Sequence, residues 1–526
     1  MPAIPALATL PLGAGCDSDS EATLPEYDYD GPLGPDDLFA YGIASGDPLS
    51  DRVILWTRAG RSLHPSDDAA LSADVDVFWE VARDVAFLDR VAAGWLVATA
   101  ASNHCVKVDA VLKKAAGQTF YYRFKALGRT SPMGRTRLAP VGPVDRLTFA
   151  VCSCSNMPVG YFHAYREIAQ RHDLDLVLHL GDYIYEYGTG RDIPERAPDP
   201  PKELVALDDY RGRYAQYRRD PDLAEAHRQH PWVVVWDDHE SANDSARDSA
   251  ENHDEASEGP WADRKAAAIE AWHEWMPVRE SDDGHIYRSF VFGELVDLVM
   301  LDTRLWGRDD QVGSVDDVAI DDATRQLLGA DQEAWLATRL GASRARWTVI
   351  GQQVMMGQLR AFGYPLNVDQ WDGYAPARQR FYDAVKAANV ENLVVLTGDI
   401  HSSWAIDLKE DSAAYDPDTG SGALGVEVVV PGVTSTGLFA SGDALFDQIR
   451  AELPHIRWAE LSKRGYVLLD LDEDRVQASW HHFERVDEAG TASTVGAVYK
   501  SGSGTHHLVA DTAPATPREA PPLAPS

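Results

Sequence analysis

The stretch Gly181-Asp182-Tyr183-Ile184-Tyr185 decides how this chain folds, because it directly follows the largely apolar run Leu174 to Leu180. Such a run predicts a buried strand, and the change to polar residues places Asp182 and Tyr185 where that strand ends. Open α/β sheets bind their ligands at the carboxyl ends of their strands. The stretch therefore predicts an α/β sheet with reactive side chains at one edge.

Two more apolar strands are predicted to end in the same way. The run from Trp232 to Trp236 leads into Asp237-Asp238-His239-Glu240, and the run from Leu393 to Thr397 leads into Gly398-Asp399-Ile400-His401. A single Asp at a strand end is as often a turn residue as a ligand. Carboxylates and phenolate are hard oxygen donors, and imidazole suits iron or zinc. Three such endings together indicate a metal centre, in which Asp182 is suited to bridging two ions.

Length and charge exclude several classes of protein. With 526 residues the chain is predicted to contain two or three domains. Its net charge is −35, from 48 Lys and Arg against 83 Asp and Glu. This excess of acid disfavours nucleic acid as a partner. No apolar run approaches the roughly 20 residues that cross a bilayer, so no transmembrane helix is predicted.

The two ends of the chain have compositions that differ from the rest. Residues 1–37 are predicted to be a disordered leader or the remnant of an export signal, because Leu12-Gly-Ala-Gly-Cys16 loosely resembles a lipoprotein cleavage site. No Lys or Arg precedes it, so the signal is incomplete in this sequence. We expect an exported protein that is periplasmic, at the cell surface or secreted, with a lipid anchor at Cys16 as an option. Residues 509–526, rich in Ala and Pro, are predicted to be a disordered tail.

Between the ends, the sequence changes its pattern once. Residues 38–142 contain short alternating runs such as Val53–Trp56 and Phe120–Phe124, which predict a small all-β sandwich. In residues 143–508, apolar strands alternate with helical patterns such as Tyr161–His172 and Trp261–Trp275. This alternation predicts an α/β domain.

Short motifs follow one another in order along both domains. They include Tyr41-Gly-Ile-Ala-Ser-Gly-Asp-Pro48, Val53-Ile-Leu-Trp-Thr-Arg58, Ser153-Cys154, His179-Leu-Gly-Asp-Tyr-Ile-Tyr-Glu186, Trp236-Asp-Asp-His-Glu240, Leu301-Asp-Thr-Arg304, Gly351-Gln-Gln353, Trp371-Asp-Gly-Tyr374 and Thr397-Gly-Asp-Ile-His-Ser402. Through these motifs, residues 38–485 resemble the PhoD-like alkaline phosphatase and phosphodiesterase family, a branch of the calcineurin-like metallophosphoesterases. The resemblance implies an α/β catalytic domain built as a metallophosphoesterase sandwich, with two β-sheets flanked by helices. It also implies hydrolysis of phosphate monoesters, diesters or both by a metal-activated water.

The resemblance further implies an iron(III) site with calcium beside it. Iron (Fe3+) would be held by Cys154, Asp182, Tyr185 and His401, and calcium (Ca2+) would face Asp182, Asp238 and Asp399. In the broader superfamily, a neutral donor stands where this chain has Asp238 and Asp399. This replacement favours a hard, oxygen-seeking cation.

Three residues have competing interpretations. A lone cysteine after a strand is more often a buried hydrophobe than a ligand, and Cys152 is a rival to Cys154, although the spacing to Gly160 favours Cys154. His239 is predicted to be catalytic, as a donor to the phosphate or leaving group, or else to orient Asp238. Arg304 is predicted to bind the substrate phosphate, or else to form a structural ion pair.

We expect a monomeric enzyme that acts on a small-molecule phosphate ester. A phospholipase D-type phosphodiesterase acting on lipid head groups is the alternative within enzymes. A cell-surface binding module with a structural metal is the alternative from another class. A nuclease is disfavoured by the overall acidity.

Overall fold

The computed structural model describes residues 23–60, 73–189, 193–437 and 452–525. The predicted lipid anchor at Cys16 lies outside these residues, and export stays a prediction. No helix within the described ranges has the length and apolar character required to span a membrane.

The described strands and helices have the following bounds. The strands are β1 (Ile43–Gly46), β2 (Arg52–Arg58), β3 (Val75–Ala82), β4 (Arg90–Ala98), β5 (Cys105–Val111), β6 (Thr119–Ala126), β7 (Arg129–Thr130), β8 (Gly134–Arg137), β9 (Arg146–Cys152), β10 (Leu176–His179), β11 (Pro231–Val234), β12 (Arg288–Phe292), β13 (Val296–Met300), β14 (Trp347–Gln352), β15 (Arg360–Ala361), β16 (Tyr364–Pro365), β17 (Leu393–Thr397), β18 (Ser403–Lys409), β19 (Ala423–Val429), β20 (Ile456–Glu460), β21 (Arg464–Asp472), β22 (Arg475–Phe483), β23 (Ser493–Gly502) and β24 (Val509–Ala510). The helices are α1 (His163–Ala169), α2 (Leu207–Arg218), α3 (Pro221–Gln229), α4 (Glu255–Glu258), α5 (Trp261–Trp275), α6 (Ala330–Ala342) and α7 (Ala375–Ala387).

Two large sheets form the α/β part of the molecule. In the part of the chain that the structure describes, one sheet has the order β24-β23-β22-β21-β9-β10-β11-β1-β2-β5 and the other β12-β13-β14-β17-β19-β18-β20. The sheets face each other across a shared apolar core, in which the rings of Phe149 and Phe292 lie 5.4 Å apart. Helices α6 and α7 pack on the outer face of the second sheet through residues such as Leu336 and Phe381. The predicted sandwich of two sheets flanked by helices is confirmed.

Parallel strands at the centre of each sheet position the site. Strands β9, β10, β11 and β1 are parallel neighbours in the first sheet, and β13, β14, β17 and β19 are parallel neighbours in the second. Parallel strands end at one edge of a sheet, so the loops that follow them meet there. A parallel bridge between Ser153 and Gly432 joins the loop after β9 to the loop after β19.

The amino-terminal β-sandwich is present, but one of its two layers belongs to the large sheet. Strands β3, β4, β6, β7 and β8 form the separate layer, while β1, β2 and β5 form the other. The two layers enclose an apolar core that includes Ile43, Leu55, Val77 and Phe124. Because β1 pairs in parallel with β11, with Ser45 opposite Pro231, the sheet crosses the predicted boundary between the domains.

Both ends differ from their predicted disorder where the structure describes them. In the tail, Val509–Ala510 forms β24, the Ala524 amide donates to Gln229 (2.8 Å), and Arg518 donates to the carbonyl of Arg146 (3.0 Å). In the leader, the ring of Tyr27 stacks on Trp95 at 5.7 Å. Composition did not reveal this order, because it depends on tertiary contacts with residues outside each segment.

Candidate metal centre

Four of the predicted metal ligands have an uncommon backbone conformation. The φ angles of Cys154, Asp182, Asp399 and His401 are 59°, 56°, 61° and 53°. This left-handed region is unfavourable for residues with a Cβ, and such residues cluster at functional sites where the surrounding structure imposes the conformation. The sharp turns direct these side chains over the carboxyl ends of β9, β10 and β17.

The first cluster, which we call the mixed-donor cluster, consists of Cys154, Asp182, Tyr185 and His401. Ligand atoms of Cys154, Asp182 and His401 all lie within 4.8 Å of one another. The Tyr185 hydroxyl donates to Asp182 Oδ2 (2.8 Å) and lies 3.1 Å from His401 Nε2. A thiol, a carboxylate, a phenol and an imidazole thus converge from three strands.

The second cluster, which we call the carboxylate cluster, consists of Asp237, Asp238 and Asp399. One carboxylate oxygen from each lies within 4.8 Å of the others. Oxygen atoms of Asp182 and Asp238 also lie within that distance of a ring nitrogen of His239. Asp182 and Asp238 therefore connect the two clusters.

Arg304 lies fully buried beside the carboxylate cluster. Its Nη2 donates to Asp399 (2.8 Å), its Nη1 donates to Asp369 (2.7 Å), and its Nε donates to Asp237. Its guanidinium nitrogens thus contact protein carboxylates, as in the structural ion-pair interpretation. The role of binding substrate phosphate stays a prediction.

His239 is held by a buried glutamate. Its Nδ1 lies 2.7 Å from Glu186 Oε2, and its ring packs against that of Tyr185 with centroids 4.2 Å apart. Burial alone would lower the pKa of His239, but Glu186, Asp238 and Asp182 outweigh it and raise this pKa well above its ordinary value. The side chain is therefore suited to carry a proton within reach of the clusters.

Burial and neighbouring charge oppose ionisation of several donors. Burial and then Asp182 raise the pKa of both the Cys154 thiol and the Tyr185 phenol well above the ordinary values. Burial likewise raises the pKa of Asp399, although Arg304 acts in the opposite direction. Burial would raise the pKa of Asp238 too, but Arg304 and His239 lower it.

These residues fit a bound cation. Asp182 Oδ1 is buried and has no hydrogen-bond partner in the described part of the chain, and the same holds for Asp237 Oδ2. A buried acceptor without a partner is costly, and a cation supplies the missing partner. A metal also ionises a coordinating thiol, which offsets the raised pKa of Cys154.

Cys152, the rival to Cys154, faces the interior. Its Sγ lies 3.5 Å from the Leu178 carbonyl oxygen, and the residue is fully buried in the largest apolar cluster of the described chain. Burial alone raises its pKa. The structure therefore brings Cys154, and not Cys152, to the mixed-donor cluster.

Several residues that support the site carried little or no signal in the sequence. Ser435 donates a hydrogen bond to the Tyr185 oxygen (2.6 Å), and it belongs to a loop without a recognisable motif. Asp369 binds Arg304 from a similar loop. Gln353, within a quoted motif but without an assigned role, donates to the carbonyls of Trp236 (2.8 Å) and Leu301 (2.9 Å), and so joins the two sheets beneath the site.

The fold and the site define a class of protein. A sandwich of two sheets, with acidic, imidazole, thiol and phenol side chains gathered at the carboxyl ends of its parallel strands, is the architecture of a metallophosphoesterase. Comparisons with known proteins agree. The family model of the PhoD-like phosphatase matches residues 149–480, and that of the PhoD-like phosphatase N-terminal domain matches residues 32–140. The chain belongs to the PhoD-like phosphatase family.

Individual relatives cover most of the chain. Alkaline phosphatase D of Bacillus subtilis (strain 168) is 39% identical over 473 residues, which cover 86% of this chain and 79% of the relative. A solved structure of PhoD is 36% identical, with a TM-score of 0.84, and the match covers 92% of this chain and 94% of that one. A weaker likeness is to GAP50, the anchor in the inner membrane complex of Plasmodium, with 11% identity, a TM-score of 0.36, and coverage of 67% of this chain and 89% of that one. The chain is a phosphoric ester hydrolase of a metal-dependent family, and its substrate is a small-molecule phosphate ester.

Proposed function

We propose that the enzyme hydrolyses its phosphate ester at a centre of Fe3+ and Ca2+. In this proposal Cys154, Asp182, Tyr185 and His401 hold the iron, and Asp182 is shared with calcium, which Asp238 and Asp399 also contact. The convergence of the mixed-donor cluster is the observation that carries the proposal. Thiolate and phenolate are anionic donors that favour an oxidised metal, whereas carboxylates suit calcium.

The choice between the two metals follows from the donor types. The mixed-donor cluster contains sulfur and nitrogen, which calcium does not use in its usual oxygen-only sites. The carboxylate cluster, by contrast, offers three carboxylates, which are oxygen donors. When bound, such cations lower the pKa of a water and neutralise the phosphoryl oxygens.

Protein groups carry out the remaining steps. The Glu186 carboxylate accepts from His239 Nδ1, so the imidazole is held in one orientation and kept protonated. His239 then donates a proton to the oxygen of the leaving alcohol. Arg304 holds Asp237, Asp369 and Asp399 in place, so we assign it a positioning role toward the carboxylates in addition to any contact with phosphate.

The test is hydrolysis of a nitrophenyl phosphate monoester and of the corresponding bis-ester by enzyme purified with iron and calcium. Asp182→Asn removes the charge of the carboxylate that both metals share, so the variant protein should lose iron and calcium together. Its kcat/KM should fall by more than about 100-fold, which exceeds the usual effect of changing a residue that only supports a ligand. Normal turnover by a folded Asp182→Asn enzyme would reject the proposed centre. Comparing phosphate release from the monoester with choline release from a choline phosphodiester would separate this function from the phospholipase D-type alternative, which requires choline release to be the faster reaction.

A further inference from the structure

The loops after β10 and β11 approach each other so closely that a side chain at Gly181 would collide with Asp237. Gly181 has a φ of +108°, and a Cβ added there would lie 2.4 Å from Asp237 Cβ and 2.6 Å from its backbone nitrogen. The next residue, Asp182, is itself left-handed, with φ at 56°. This close approach brings the shared ligand Asp182 next to Asp238. Two turns packed this tightly need a contact that holds them together.

One buried carboxylate makes that connection. Glu240 Oε2 accepts hydrogen bonds from the backbone amides of Asp182 (3.0 Å) and Asp237 (2.8 Å), while Oε1 accepts from the amide of Tyr183 (2.7 Å). The Glu240 side chain is only 2% exposed. A single group therefore binds both loops through three N–H donors.

The three donors explain why a carboxylate is needed at this position. An ionised Glu accepts hydrogen bonds at both oxygens, whereas Gln has one accepting oxygen and one donating NH2. In a Gln side chain, the NH2 would face at least one backbone N–H, leaving that buried donor without a partner. The amide of Asp182 is one of the donors that could lose its partner. Because Asp182 has a left-handed backbone conformation, the turn has little intrinsic stability without that hydrogen bond.

We propose that Glu240 is a positioning residue, which sets the separation between Asp182 and Asp238 and thereby the affinity of the centre for its cations. This inference rests on the proposed function, because it requires those two residues to be ligands. Both Glu240 oxygens accept from backbone amides. Its effect is transmitted through the backbone of the two loops.

The test compares Glu240→Gln with a matched control at the other end of β10. Asp175 is also a buried carboxylate (3% exposed), which accepts from the amide of Thr148 (2.9 Å) and pairs with Arg137 (3.1 Å). Wild type, Glu240→Gln and Asp175→Asn would be loaded with iron and calcium and dialysed against graded concentrations of a chelator. The metal that each folded protein retains would then be measured, together with its Tm and its kcat at saturating metal.

Glu240→Gln should bind its cations about 10- to 100-fold more weakly than wild type, the range for residues that support metal ligands. Excess metal should restore much of its kcat. Asp175→Asn should have a lower Tm but unchanged retention of metal. If Glu240→Gln does not fold, Glu240→Asp, whose shorter side chain cannot reach all three amides, should show a weaker loss of the same kind.

The outcomes separate the two ideas. Equal retention of metal by wild type and the folded Glu240 variant would overturn the role of Glu240 while leaving the proposed centre intact. A wild-type protein that retains no metal at any chelator concentration would overturn both. A loss of metal in Asp175→Asn equal to that in Glu240→Gln would also overturn the role, since the effect would then follow general stability.

Discussion

The mixed-donor cluster and the carboxylate cluster balance their charges in different ways. Around Cys154, the thiol and the Tyr185 phenol have raised pKa values, because burial and Asp182 disfavour their anions. Around Asp399, by contrast, the protein supplies its own cation in Arg304. We infer that the first cluster depends on a metal to become charged, whereas the second is partly neutralised before any metal binds. The two halves of one site should therefore respond differently to the same kind of mutation.

The largest contrast is expected between Cys154→Ala and Asp399→Asn. Cys154→Ala removes a donor from the mixed-donor cluster and should lose iron while retaining calcium, and Asp399→Asn should show the reverse. Each should lower kcat/KM by more than about 100-fold. The measurement is metal content per folded chain together with turnover of a nitrophenyl ester. If both variants lost the same metal, the division of the site into two halves would be wrong.

Arg304→Gln should show how much the positive charge of Arg304 stabilises the carboxylate cluster. Removing one partner from a buried charge network costs about 3–5 kcal/mol, so the metal-free variant should unfold at a lower temperature than wild type. Added calcium should recover more stability in the variant, because it replaces the lost positive charge. The measurement is Tm with chelator and with calcium.

The control for this prediction is Arg339→Gln. Arg339 pairs with Asp297 within β13, away from the centre. Its loss should lower Tm without changing the calcium response. An Arg304→Gln protein that gained no more stability from calcium than Arg339→Gln would contradict the role of Arg304 as an internal counter-charge.

Glu186→Gln should affect proton transfer and leave both clusters filled. The variant replaces the charged acceptor of His239 Nδ1 with a neutral amide, so His239 is less readily protonated. We expect kcat to fall by about 100-fold, at the low end of general acid–base contributions, and the metal content to be unchanged. Glu203→Gln is the control, because Glu203 shares the contact to Asn252 but not the one to His239. Loss of metal from Glu186→Gln would show that Glu186 supports the ligands instead.

Cys152→Ala should have the smallest effect. The side chain lies in the core two residues before Cys154, so its loss should cost about 1–2 kcal/mol of unfolding free energy as a small cavity forms. Metal content and turnover should match wild type. A loss of iron comparable to that of Cys154→Ala would mean that the ligand had been assigned to the wrong cysteine.

The sequence predicted those parts of the site that follow strands. Asp182, Asp238 and Asp399 come directly after apolar runs, and parallel strands bring such positions together at one edge. The sequence favoured Cys154 over Cys152 only through the spacing to Gly160, because two residues separated by one position lie on the same side of an extended strand. In the structure, the left-handed turn at Cys154 distinguishes the two residues, because it directs Cys154 toward the mixed-donor cluster.

Other features could not be predicted from the sequence, because they depend on partners that are far apart along the chain. Ser435 contacts Tyr185, and Asp369 contacts Arg304, from loops that have no sequence pattern of their own. Sharing of the large sheet by the amino-terminal domain depends on the pairing of β1 with β11. The tail was predicted to be disordered from its composition, yet it packs against Gln229. In each case the local sequence leaves the tertiary partner unspecified.

Elemental analysis of the purified wild-type enzyme tests the central claim most directly. The account predicts iron and calcium in small whole-number ratios to the folded chain, since one cluster offers sulfur, nitrogen and phenol and the other offers carboxylates. Zinc as the sole bound metal would contradict it, because Cys154 and Asp399 would then require different roles.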